Sequence, residues 1–218
     1  MRSIIYDSGY LKTLCDYIEQ TFISEIEKYP QINEHYKQMI EIRYINSVID
    51  LYESCFERHK GHFTRKYVQE SCSSYRNKSA FITLTHFKYD NSGICYATEI
   101  YLTINMERFL IDCFIDMIPS MSTKIEDHIK HMIKISARHE VGHILDWIIN
   151  KENRHIDHVN HLRKIEDDAI CEFNSIMDNL SNEECIIKYY QLPGEKRANE
   201  LVGLTPQDMI DSKRILEK

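Results

Sequence analysis

Apolar residues recur at helical spacing along most of this chain and alternate in one stretch near its middle. Leu11, Leu14, Ile18, Phe22 and Ile26 fall at steps of three and four. That spacing predicts a helix over residues 9–29, ended by Pro30. The same spacing through Ile40, Tyr44, Val48, Leu51 and Cys55 predicts a second long helix over 32–57. Two such helices joined at a proline make an N-terminal helical hairpin, whose apolar stripes need burial. Residues 58–80 are polar and aperiodic and read as a loop or linker with a solvated basic surface. Residues 81–87, FITLTHF, and 94–104, ICYATEIYLTI, alternate and are rich in β-branched and aromatic side chains. The turn residues KYDNSG lie between them, so an antiparallel hairpin is expected. Helical spacing returns over 106–118.

The longest helical pattern runs from about Lys124 to Asn150. Ala137, Val141, Ile144, Leu145 and Ile148 form its apolar stripe, while His139, His143 and Asp146 fall on another face. Next comes a polar segment with His155, His158 and His161. No carboxylate pattern organises these histidines, so they read as an exposed helical turn or loop. Residues 162–180 form a further amphipathic helix with Leu162, Ile165, Ala169, Ile170, Phe173, Ile176 and Met177 inward. A short helix over 182–190 is stopped by Pro193-Gly194, and another starts at about Glu195. Thr205-Pro206-Gln207-Asp208 caps the last helix. The expected class is α+β and predominantly helical, with a small antiparallel sheet and an N-terminal helical hairpin. Residues 1–80 form the helical region and linker, and 81–218 the main domain. The chain is long enough for both to share one core.

Composition narrows the function classes. Apolar residues make up 43% and charged residues 28%, as in water-soluble globular proteins. A net charge of −7 with no basic block argues against nucleic-acid binding. No apolar run is long enough to span a membrane, and the first residues lack the apolar core of a secretory signal. Seven scattered cysteines, odd in number and without a C-x-x-C pair, fit reduced thiols buried as small hydrophobes. A cytoplasmic location is expected.

The chemistry concentrates in His139-Glu140-Val141-Gly142-His143, the pattern H-E-x-x-H. Residues four apart on a helix stack on one face, so both imidazoles can point at one ion. Glu140 is about 100° round the helix from His139. Its carboxylate therefore falls beside the ion, where it can take a proton from a polarised water. The competing reading is two surface histidines on an ordinary amphipathic helix, and the helical context weighs against it. Gly142 costs about 1 kcal/mol in mid-helix relative to Ala, which suggests close approach of another segment or of a substrate. Asp146 shares the histidine face and reads either as a hydrogen-bond partner of a ligand imidazole or as an ordinary exposed acid.

Catalytic zinc takes three protein ligands and keeps one open position. The extended pattern H-E-x-x-H-x-x-G-x-x-H is excluded, because Asp146 and Ile149 stand at its last Gly and His positions. An acid from a later helix is the other route, with a polar residue one turn on to hold an imidazole. Glu195 is followed by Asn199 at that offset and Asp168 by Glu172, whereas Glu166 and Glu172 are followed by isoleucine. Glu195 also opens its helix, where a carboxylate is favoured. It is the first choice, ahead of Glu172 and Asp168.

HEVGHILD followed by Y-x-L-P-x-E-x-x-A-N resembles the gluzincin-type zinc metallopeptidases of bacterial and phage genomes, including the ImmA/IrrE-like group. The similarity runs from the strand hairpin to about residue 203. It implies a zincin-like core that hydrolyses peptide bonds in a peptide or protein substrate. Zn2+ would be held by His139, His143 and Glu195, with Glu140 as general base. Asn199 stands where such enzymes commonly carry Asp, and a neutral amide raises ligand basicity less. Tyr189 and Tyr190 are candidates, by position, for stabilising the transition state. In this class an edge strand beside the metal helix binds extended substrate, and 94–104 reads either as that strand or as a plain structural one. The rival reading is a regulatory or binding protein that retains a peptidase-like zinc site. A deformylase would need a Gly-Cys-Leu context upstream, which the chain lacks.

Overall fold

The computed structural model describes residues 8–45, 64–67, 80–105, 109 and 122–214. Helix α1 spans Ser8–Ile26 and buries Leu14, Ile18, Phe22 and Ile26, as their spacing predicts. The second long helix is not found. A short helix α2, Glu34–Met39, is capped by the Asn33 side chain and gives way to strand β1, Ile40–Ile45. The sequence IEIRYI suits either element, and pairing with Ile100–Asn105 decides for the strand. Ile40 and Tyr44 are four apart and suit a helix, but Ile42 between them completes a two-residue alternation. Ile40, Ile42 and Tyr44 are all buried on one face of the strand. The N-terminal helical hairpin is therefore replaced by helix–helix–strand. Residues 46–57 of the expected helix, and the helix over 106–118 apart from Phe109, lie outside the described residues.

Strand β2 is Thr64–Tyr67, within the expected linker. Strands β3, Phe81–Tyr89, and β4, Cys95–Asn105, form the expected antiparallel hairpin, with a bulge between His86 and Phe87. The sheet order is β2-β1-β4-β3, and β1 runs parallel to both β2 and β4. The sheet is thus mixed rather than antiparallel. β1 occupies one side of β4 over Ile100–Asn105, and segment 152–155 covers its start. β4 is therefore internal and not the edge strand expected, whereas β3 lies at one end of the sheet.

Helix α3, Ser122–Asn150, carries the H-E-x-x-H motif. Its Ile133, Ala137, Val141 and Ile144 join the core made by α1, β1 and β4. After it come α4, Ile156–Ile176, and a short 3-10 turn, Met177–Asn179. α5, Asn182–Tyr190, follows, then α6, Pro193–Val202, and α7, Pro206–Arg214. α6 begins two residues earlier than expected, because Pro193 sits at its first position, where a missing N–H costs nothing. Thr205 and Asp208 cap α7 reciprocally, as their spacing predicts. α4 begins at Ile156 rather than 162. His155 is its N-cap, accepting from the Asp157 N–H, and His158 donates to the Asn150 carbonyl. Its buried side is narrower than expected. Val159 is buried and Phe173 half-buried, whereas Ile165, Ile170 and Met177 are about two-fifths exposed. Cys15 and Cys95 are buried, Cys171 is exposed and Cys185 half-buried. Among the described residues, no helix is long and apolar enough to cross a membrane.

Candidate metal centre

The site forms where α6 packs across α3. The buried side of α3, through Val141 and Ile144, fixes the rotation of the helix and turns His139 and His143 toward α6. The C-terminus of α6 is held in turn by α3. Gly203 adopts φ +66 and ends the helix, and the Arg138 guanidinium donates to the Val202 carbonyl at 2.7 Å. Glu195 lies in the first turn of α6 and Asn199 one turn on, so both face the motif.

Three ligand-type atoms converge. The Nε2 atoms of His139 and His143 are 3.2 Å apart. Glu195 Oε2 is 3.1 Å from the first and 3.4 Å from the second. Atoms placed tetrahedrally at 2.0–2.1 Å round one zinc ion lie about 3.3–3.4 Å from one another, so the spacing fits. His139 Nδ1 is 2.8 Å from Asn199 Oδ1, an atom that only accepts. Nδ1 therefore carries the hydrogen, and a neutral His139 ring turns a lone pair on Nε2 toward the other two atoms. Three lone-pair atoms at such distances repel unless a proton or a cation lies between them. His139, His143 and Glu195 are thus a group that can hold a metal ion.

Burial alone lowers the His139 pKa, but the Glu195 hydrogen bond and the Glu140 charge outweigh it and hold the ring at about 9. Burial alone raises the Glu195 pKa, but the two imidazoles outweigh it and hold the carboxyl far below the usual range. The other Glu195 oxygen, Oε1, accepts from the Tyr189 hydroxyl at 2.9 Å. Tyr190 packs its ring edge-on against His139, with centroids 5.5 Å apart.

Glu140 is buried, and its Oε2 has no hydrogen-bond partner among the described residues. Its backbone carbonyl accepts from the Thr83 hydroxyl at 3.1 Å, tying β3 to the motif helix. A buried carboxylate oxygen left unpaired is costly, and the Glu140 charge acts on the His139 ring.

Of the rival third ligands, Asp168 and Glu172 are exposed on α4 and stand outside the group. Glu166 instead pairs with Lys151 at 2.9 Å and with Arg197. Asp146 fits neither expectation. It is 3% exposed and binds no imidazole among the described residues; its carboxylate pairs with Arg197 Nε at 2.7 Å and accepts from Asn150 at 2.8 Å. Arg197, which spacing did not single out, thereby ties α6 to α3 and α4. Its one available signal was an opposite charge to Asp146 on the other ligand-bearing helix. Comparison of the chain with models of protein families, with curated proteins and with solved structures gives no match.

Proposed function

We propose that this protein is a metal-dependent peptidase, with zinc in the His139–His143–Glu195 group. The observation that carries the reading is the spacing of 3.1–3.4 Å among three lone-pair atoms, next to the unpaired buried oxygen of Glu140. A zinc ion held there would lower the pKa of a water toward 7 and polarise a scissile carbonyl. Glu140 would serve as the general base toward the attacking water and as the proton donor to the leaving amine. Asn199 holds the His139 ring in one tautomer. The Tyr189 hydroxyl is committed to Glu195, which leaves Tyr190 as the tyrosine suited to a developing oxyanion.

β3 supports a peptide as substrate. Among the described residues it is the outer strand beside β4, and Thr83 fastens it to the carbonyl of Glu140. An extended chain can add to such an edge through main-chain hydrogen bonds, which are largely independent of sequence. Glu140→Gln keeps the shape of the side chain and removes the base. That variant should retain zinc and lose hydrolysis of a peptide library by at least about 100-fold in kcat. Full activity in Glu140→Gln would refute the base. Stoichiometric zinc in the wild type without turnover on any peptide would favour the regulatory or binding protein instead.

A further inference from the structure

We propose that Tyr189 is a positioning residue which makes Glu195 present a single oxygen to the metal. This inference rests on the metal-site reading above. A carboxylate on a flexible side chain can offer a cation one oxygen or both. In this site the two oxygens have separate neighbours. Oε2 faces the imidazole nitrogens of His139 and His143, while Oε1 accepts from the Tyr189 hydroxyl at 2.9 Å. A turn of the carboxylate that brought Oε1 inward would break the tyrosine bond, so that bond opposes two-oxygen coordination.

The tyrosine is held independently of Glu195. It occupies the last turn of α5, where its carbonyl accepts from the Leu192 N–H at 3.0 Å. Its ring packs edge-on against Phe173 of α4, with centroids 6.0 Å apart, and at 90° to the Tyr190 ring. Only Gln191 and Leu192 separate α5 from α6, and Pro193 stiffens the entry to α6. The hydroxyl and the carboxylate are thus set by two helices with little slack between them. Single-oxygen ligation by Glu195 leaves the metal with three protein ligands and an open position for water. Two-oxygen ligation would crowd that position.

Tyr189→Phe removes the hydroxyl and keeps the ring packing. Zinc affinity is read by competition with a chromophoric chelator, and coordination by the visible spectrum of the cobalt-substituted protein. The variant should bind zinc about 10–100-fold more weakly. Its cobalt absorption should fall in intensity as the second oxygen joins the metal, while the metal-free variant keeps the wild-type fold by circular dichroism. Affinity and cobalt spectrum both equal to the wild type would overturn the role of Tyr189 and leave the metal site standing. Failure of the wild type itself to bind zinc or cobalt would overturn the metal site, and this inference with it.

Discussion

A methyl group at Gly142 would lie 2.3 Å from the carbonyl oxygen of Ala198 and 2.9 Å from its carbonyl carbon. The motif helix and the helix carrying Glu195 touch main chain to main chain at this point. Glycine is the residue that allows it. The contact sits one residue from His143 and one from Asn199, so it sets the spacing across which ligands from α3 and α6 meet.

Gly142→Ala tests that contact. Alanine is better than glycine in mid-helix by about 1 kcal/mol, which alone would stabilise. The clash is with backbone, which cannot swing aside, and overpacking of this kind costs about 1–3 kcal/mol. Overpacking should win. Chemical denaturation is expected to show a net loss of stability, with weaker zinc binding in the same protein. A more stable variant with unchanged zinc affinity would show that the two helices have room to spare.

Arg197 should matter through the charge it neutralises. Asp146 is 3% exposed, and its other cation, Lys151, stands 3.8 Å away. Removing one partner of a buried pair leaves the other uncompensated and costs about 3–5 kcal/mol. Arg197→Ala is expected near the lower end, because Lys151 remains. Exchanging both partners in Arg197→Met with Asp146→Leu should recover most of the loss. Equal stability of Arg197→Ala and wild type in urea denaturation would remove the pair from the account of how α6 is docked.

Asn199 offers a graded test of the imidazole it holds. Asn199→Leu removes the acceptor for His139 Nδ1 and should weaken zinc binding about 10–100-fold. Asn199→Asp supplies a charged acceptor and should tighten it, since a carboxylate raises the basicity of the ring more than an amide does. Chelator competition on the three proteins should rank Asp above Asn above Leu. Any other order would show that the bond at 2.8 Å does not tune the ligand.

Zinc binding should release a proton. The His139 ring is held at about 9, so at pH 7 the metal-free chain carries a proton that a cation must displace. Because the pKa is raised, this competition weakens only as pH climbs toward 9. Affinity should therefore rise with pH up to that point and level off above it. Calorimetry in two buffers of different ionisation enthalpy reads the proton directly. The same binding enthalpy in both would contradict its release.

The positions around the motif were legible because helix geometry is periodic. His139 and His143 fall on one face by count alone, and Glu195 with Asn199 repeats that spacing on a second helix. The hairpin was legible from alternation around KYDNSG. β1 was not, because Ile40 and Tyr44 satisfy both the helical and the strand period, and only pairing with β4 decides between them. The surroundings of Asp146 were not legible for a related reason. Its helical face could be counted, but its partner Arg197 is distant in sequence and is brought to it by the packing of α6. The close approach was legible in Gly142 itself, but its partner Ala198 and the hydroxyl on Glu195 Oε1 depend on how helices meet, which no local pattern records.

Elemental analysis of the purified protein after zinc loading and dialysis, beside Glu195→Ala treated identically, reaches the centre of this account. Stoichiometric zinc in the wild type and its loss in Glu195→Ala is the result expected. An equal zinc content in the two proteins, or none in the wild type, would contradict a site built from His139, His143 and Glu195.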